Sequence, residues 1–249
     1  MRTICIFNYK GGVGKTTTAI NLAAGISRRD KKVLLVDLDP QGNIDASLKV
    51  NAEYDLYDAA VGKLPLQQCI IHIAENFDII TSKENLVKLE HYLVKDDSSR
   101  LLLKDMLSKV NGYDYMIIDC PPSLGVLNQN ALTLGQEAFV PVATDFLGYD
   151  ALGKMEEIVS KINEHYGHNI RISKIIPTLF DRRNKICKNM LAKMQQDFPA
   201  LMSYPIRYNS KLKEAPMSGK SIFNYAKSSA GAEDYGRLVD DVIEMEWAV

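Results

Sequence analysis

The sequence predicts an α/β fold, doubly wound around a mostly parallel sheet with helices on both faces. Three observations predict it. An apolar run, Thr3-Ile4-Cys5-Ile6-Phe7, leads into a loop rich in glycine and lysine and then into the helix-like Ala19-Ile20-Asn21-Leu22-Ala23-Ala24. Two more apolar runs, over 32–40 and 113–122, each deliver aspartate at their ends. Apolar residues also recur at helical spacing over 86–94, 101–110 and 152–162. At 249 residues the chain can bury one full core, and residues 1–249 are read as a single domain.

The loop after the first strand is Lys10-Gly11-Gly12-Val13-Gly14-Lys15-Thr16-Thr17. Strand, glycine loop and helix start make a phosphate cradle, because glycines let backbone N–H groups turn inward and the helix end adds partial positive charge. Lys15 is expected to reach the β- and γ-phosphates, and the Thr16 hydroxyl to ligate Mg²⁺. A standard loop carries glycine where this chain has Tyr9, and it lacks the extra Lys10. The string resembles the deviant Walker A motif of the ParA/MinD family, and the sequence is similar to the ParA branch. That resemblance implies ATP and Mg²⁺ as cofactors, with the nucleotide held by residues 10–17. It also implies a homodimer closed face to face over two ATPs, with Lys10 reaching the partner's nucleotide. Such a role suits an ammonium at the outer lip of the loop, which has little to do for its own β-phosphate.

The second run ends Asp37-Leu38-Asp39-Pro40, and parallel sheets bind ligands beyond the carboxyl ends of their strands, so both acids should face the phosphates. Similarity to the family's first switch implies that Asp39 orients the attacking water, and that Asp37 supports the metal's water shell or caps the strand end. Residues 46–60 look helical and 77–80 look like a short strand; Thr81-Ser82 follows where the family usually has Pro-Ser. Residues 86–94 and 101–110 read as covering helices, separated by Asp96-Asp97-Ser98-Ser99. The run Tyr115-Met116-Ile117-Ile118-Asp119 looks like a Walker B strand, with Asp119 holding Mg²⁺ through water or Thr16. Pro121-Pro122-Ser123-Leu124-Gly125 resembles the second switch, stiffened by two prolines and hinged at Gly125. Cys120 reads as a small core residue. Residues 138–142 and 170–176 read as strands, and Asp145 and Asp150 as capping or surface acids around the helix 152–162. By resemblance, 178–181 and 206–209 approach the adenine, although Arg207 stands where the family usually has proline. Residues 212–222 and 230–235 resemble the family's carboxy-terminal signature, so the likeness runs from residue 3 to about 243.

Net charge is −1, yet residues 171–227 hold twelve Lys/Arg against three Asp/Glu, a local +9 that leaves −10 elsewhere. Such a split points to an anionic partner. The resemblance names that partner as non-specific DNA, with Arg183 and Lys211 at positions that carry DNA-contacting arginines in relatives and Arg182, Lys185, Lys188 and Lys213 as neighbours. It further implies slow hydrolysis stimulated by a ParB-like partner, with a plasmid, chromosome or protein cargo positioned on the nucleoid. No apolar run approaches the ~20 residues of a membrane span, and no signal peptide precedes the first strand. Cys5, Cys69, Cys120 and Cys187 are scattered without a Cys-x-x-Cys pair, which argues against zinc and for a reducing cytoplasm. A MinD-like membrane ATPase would need a basic amphipathic carboxy-terminal helix, and this chain ends in acid. An iron–sulfur reductase would need cysteines at a dimer face, and Cys120 lies within a strand. No amino-terminal helix-turn-helix is expected.

Overall fold

Seven strands form one sheet in the computed structural model, which describes residues 1–95 and 100–245. In chain order they are β1 (Arg2–Ile6), β2 (Val33–Asp37), β3 (Ile70–Ala74), β4 (Phe77–Ile80), β5 (Tyr115–Asp119), β6 (Glu137–Ala143) and β7 (Arg171–Thr178). Their order across the sheet is β3-β4-β2-β5-β1-β6-β7. Among the described residues only β3 runs antiparallel to its neighbour. The central strands β1, β2 and β5 are buried on both faces, which is why they read as unbroken apolar runs.

Alternate residues of those strands feed two separate cores. Cys5, Leu34, Val36, Met116 and Ile118 join one core, covered by the helices α3 (Leu56–Ala60), α4 (Leu86–Lys95), α5 (Leu102–Leu107), α6 (Val126–Leu134) and α7 (Phe146–Tyr166). Ile4, Ile6, Val33, Leu35 and Ile117 join the other, beneath α1 (Lys15–Ser27), α10 (Ile222–Tyr225) and α11 (Ala230–Glu244). The fold is therefore the doubly wound one that the sequence predicts. The remaining helices are α2 (Asn43–Leu48), α8 (Lys185–Asp197) and α9 (Ser210–Glu214).

Local differences from the expectation have physical causes. The helix expected over 46–60 is broken, because Lys49 adopts φ +53° and Asp55 starts a new helix with a reciprocal capping box to Asp58. The edge strand β3 is an addition to the expected strands: it is half exposed and pairs with β4 through an irregular register. The helix read over 152–162 extends to 146–166, with Asp145 as its N-cap accepting from the Gly148 N–H at 2.7 Å. Asp150 lies inside that helix as an exposed acid. The break expected at Asp96-Asp97-Ser98-Ser99 falls outside the described residues.

Candidate active site

Three strand ends meet where the chemistry is expected. The order β2-β5-β1 places Asp37 opposite Asp119 and Ile6 opposite Asp119 in register, so the glycine loop and both acids emerge side by side. Gly12 at φ +74° and Gly14 at φ +89° need the left-handed region that L side chains rarely adopt. Gly11 and Gly12 are exposed along the outside of the loop, and a cleft of about 360 Å³ opens before Gly11, Gly12, Gly14, Lys15, Thr16 and Thr17. Asp39, Gln41, Asn43 and Pro122 complete its lining. Val13 is buried, and its carbonyl accepts from the Thr178 hydroxyl at 2.8 Å.

The Lys15 ammonium donates to the Lys10 carbonyl at 2.8 Å. Burial lowers its pKa, while the negative charges of Asp119 and Asp39 act in the opposite direction. Lys10 sits at the lip, where its ammonium donates to the Leu147 carbonyl at the start of α7. Asp119 is fully buried, and neither carboxylate oxygen has a hydrogen-bond partner. Burial pushes its pKa up to about 7, with Thr16 and Lys15 pulling downward. Among the described residues no three His, Cys, Asp or Glu side chains cluster as metal ligands. One unpartnered carboxylate beside a threonine hydroxyl instead fits Mg²⁺, which keeps several of its waters.

Asp37 is fully engaged by backbone. One oxygen accepts from the Asp39 N–H at 2.9 Å and the other from the Ile44 N–H at 3.2 Å. Burial and the nearby Asp119 charge raise its pKa, and those two N–H groups oppose the rise. It ties down the start of the first switch-like segment. Asp39 accepts from the Gln41 N–H at 3.0 Å, and its carbonyl accepts from the Ser82 hydroxyl at 2.5 Å. Ser82 thus anchors the segment, while the Thr81 hydroxyl beside it is buried without a partner. In the second switch-like segment the Asn128 amide donates to the carbonyls of Pro121 and Ser123. Gly125 has φ −72°, open to any residue, and the Glu90 carboxylate fills the place a Cβ would take. Asn8 prepares the loop entry, donating to the Pro141 carbonyl at 2.8 Å and accepting from the Lys10 N–H at 2.9 Å. Motif reading misses Asn128 and Asn8, and it marks the place of Ser82 without its role, since each acts through a backbone carbonyl or N–H that no spacing rule names.

A second cleft of about 170 Å³ adjoins the glycine loop, lined by Gly12, Gly14 and Thr17, by Thr178, Leu179 and residues 206–209, and by Leu212, Lys213 and Tyr235. Residues 178–179 and 206–209 therefore adjoin the loop where an adenine is expected, whereas Phe180 and Asp181 do not line the cleft.

Comparison with known proteins gives this site its family. The AAA domain family model AAA_31 matches residues 1–172. The sporulation initiation inhibitor protein Soj of Bacillus subtilis is 36% identical over 247 residues, covering 97% of this chain and 98% of that protein. The chromosome partitioning protein ParA of Myxococcus xanthus is 34% identical over 252 residues, covering 98% and 89%. The chain belongs to the ParA/Soj family. Among solved structures, one described as cobyrinic acid a,c-diamide synthase from Mycobacterium smegmatis, with bound ATP analog and magnesium, superimposes with a TM-score of 0.82. It is 27% identical, covering 98% of this chain and 94% of that one.

On this ParA/Soj chain the six expected DNA-contacting cations are all exposed. Residues 180 and 207 bridge in parallel, so the segments carrying Arg182, Arg183, Lys185 and Lys188 and those carrying Lys211 and Lys213 leave the same edge of the sheet together. Arg183 forks onto Asp181 at 2.8 and 3.0 Å and holds its carboxyl down at about 2. Lys211 pairs with Glu214 at 2.7 Å, and Lys213 lies 4.9 Å over the Tyr208 ring. Exposed pairs of this kind are weak and exchangeable for phosphate. Two cations of the basic stretch are neutralised internally: Lys174 by Asp241 at 2.7 Å, and Arg207 by Asp234 and Glu233 at 2.6 Å. The charge split in the sequence is thus partly an internal pairing between the stretch and α11. Cys120 is buried in the core, where burial raises its thiol pKa. The apolar face of α11 packs on α1, and no helix among the described residues is long and apolar enough to cross a membrane.

Proposed function

We propose that this chain is an ATP-dependent partition ATPase that dimerises over two Mg-ATP molecules, binds DNA without sequence preference as that dimer, and moves a cargo. The observation that carries the reading is the buried, unpartnered Asp119 carboxylate set beside the Lys15 and Thr16 end of a glycine cradle. Residues 10–17 bind the triphosphate, and Thr16 and Asp119 hold Mg²⁺, with Asp37 fixing the segment next to it. Bound Mg²⁺ supplies positive charge to the phosphate oxygens. Lys15 neutralises charge on the transferring group, and Asp39 orients the attacking water. Lys10, released from the Leu147 carbonyl, serves the partner's nucleotide. Slow hydrolysis in isolation and acceleration by a ParB-like partner follow, since groups supplied in trans contribute ~10³–10⁵-fold in related phosphoryl transfers.

The DNA face is the pooled patch of Arg182, Arg183, Lys185, Lys188, Lys211 and Lys213 from two subunits, which associates the protein with the nucleoid in the cytoplasm. Arg183→Glu and Lys211→Glu should each abolish binding to random-sequence duplex while ATP affinity stays at the wild-type value. Fluorescence anisotropy with labelled duplex and nucleotide tests both, and unchanged salt-dependent DNA binding in the two variants would dismiss the patch.

A further inference from the structure

Arg207 is held by an acid that its position requires. Its Nε donates to the two Asp234 oxygens at 3.0 and 2.9 Å, and a terminal nitrogen donates to Asp234 and Glu233 at 2.6 Å each. Its backbone N–H adds a further link, donating to Asp234 Oδ2 at 2.8 Å. Asp234 is only 3% exposed. A proline at 207 has neither charge nor N–H, and would leave that carboxylate buried and unpaired. The arginine and the aspartate therefore belong together, and Arg207 is not a free cation for DNA.

The clamp stands at the cleft beside the glycine loop. Residues 206–208 are laid along 180 by two backbone bonds, Phe180 N–H to the Ile206 carbonyl at 3.1 Å and Tyr208 N–H to the Phe180 carbonyl at 2.9 Å. On α11 the next residue, Tyr235, shares a 3.0 Å hydrogen bond with the Thr18 hydroxyl of α1. Consecutive residues of one helix thus hold two segments that line the cleft: Asp234 fixes Arg207, and Tyr235 fixes the helix that starts at the glycine loop. We infer that Arg207 and Asp234 are positioning residues that set the width of this cleft and so govern affinity for the base, as distinct from the triphosphate. The inference rests on the reading that the chain binds ATP.

The test compares Mg-ATP with Mg-tripolyphosphate, which has no base, by calorimetry on the full chain. The double variant Arg207→Ala with Asp234→Ala leaves no unpaired buried charge; the single Asp234→Asn keeps the shape of the side chain. Both should bind ATP about tenfold more weakly than wild type and tripolyphosphate within about twofold of it. Equal losses for the two ligands, or ATP affinity unchanged in both variants, would overturn the inference. Wild-type protein that binds neither ligand would instead remove the nucleotide reading beneath it.

Discussion

Neither Asp119 oxygen meets a well-formed hydrogen bond, and although Lys15 and Thr16 nearby favour its charge, burial outweighs them. Burial pushes its pKa from 3.8 up to about 7. A carboxyl with a folded pKa above its unfolded value carries an extra proton in the folded state, so stability weakens as pH rises from about 4 to about 7. Asp119→Asn removes that titration. Without nucleotide the variant should be more stable than wild type by roughly 1–3 kcal/mol at about pH 8, with the gap closing towards pH 4. Urea melts at the two pH values check this; a gap that does not change with pH would place the titration elsewhere. Asp37 shifts in the same direction and partly because of the Asp119 charge, so the difference between wild type and variant reports Asp119 together with its effect on Asp37. Lys15, Thr16 and Asp119 are legible in the sequence because each sits within a few residues of a strand end or helix start. The Arg207–Asp234 clamp is not, since its halves lie 27 residues apart and meet only when α11 folds back.

Gly25 decides how closely α1 and α11 approach. A Cβ there would stand 2.4 Å from Val239 Cγ2 and 3.0 Å from the Phe223 ring. Alanine gains about 1 kcal/mol in helix propensity, but overpacking a filled interface costs about 1–3 kcal/mol. Gly25→Ala should therefore be net destabilising by about 1 kcal/mol, measurable as a lower urea midpoint at unchanged slope; a raised midpoint would mean that α11 moves aside freely. Elements with strong local signals are legible: β1, β2 and β5 as apolar runs, and α4 from its spacing over 86–94. The break at Lys49 is not, because a single left-handed residue leaves the apolar pattern on either side intact. Nor is β3, an edge strand of five residues whose pairing partner alone defines it.

On the proposed function, pooling two patches on one duplex would make DNA affinity a property of the assembly. Removing one cation that neutralises a phosphate should lower the salt slope by about 0.9, and a lone subunit holds half of those cations. Asp181 and Glu214, the half-exposed partners of Arg183 and Lys211, form weak ion pairs of the kind that phosphate would displace at little cost. On the proposed function dimerisation is the switch, and Lys10, which sits on the Leu147 carbonyl at the lip of the loop, is proposed to read the partner's nucleotide. Sedimentation velocity of the Asp39→Ala variant, in which the proposed mechanism stops hydrolysis, under saturating Mg-ATP tests this most directly. The account predicts a species of twice the subunit mass, absent when Lys10→Ala is added; a single subunit in Asp39→Ala, or a dimer indifferent to Lys10, would contradict it.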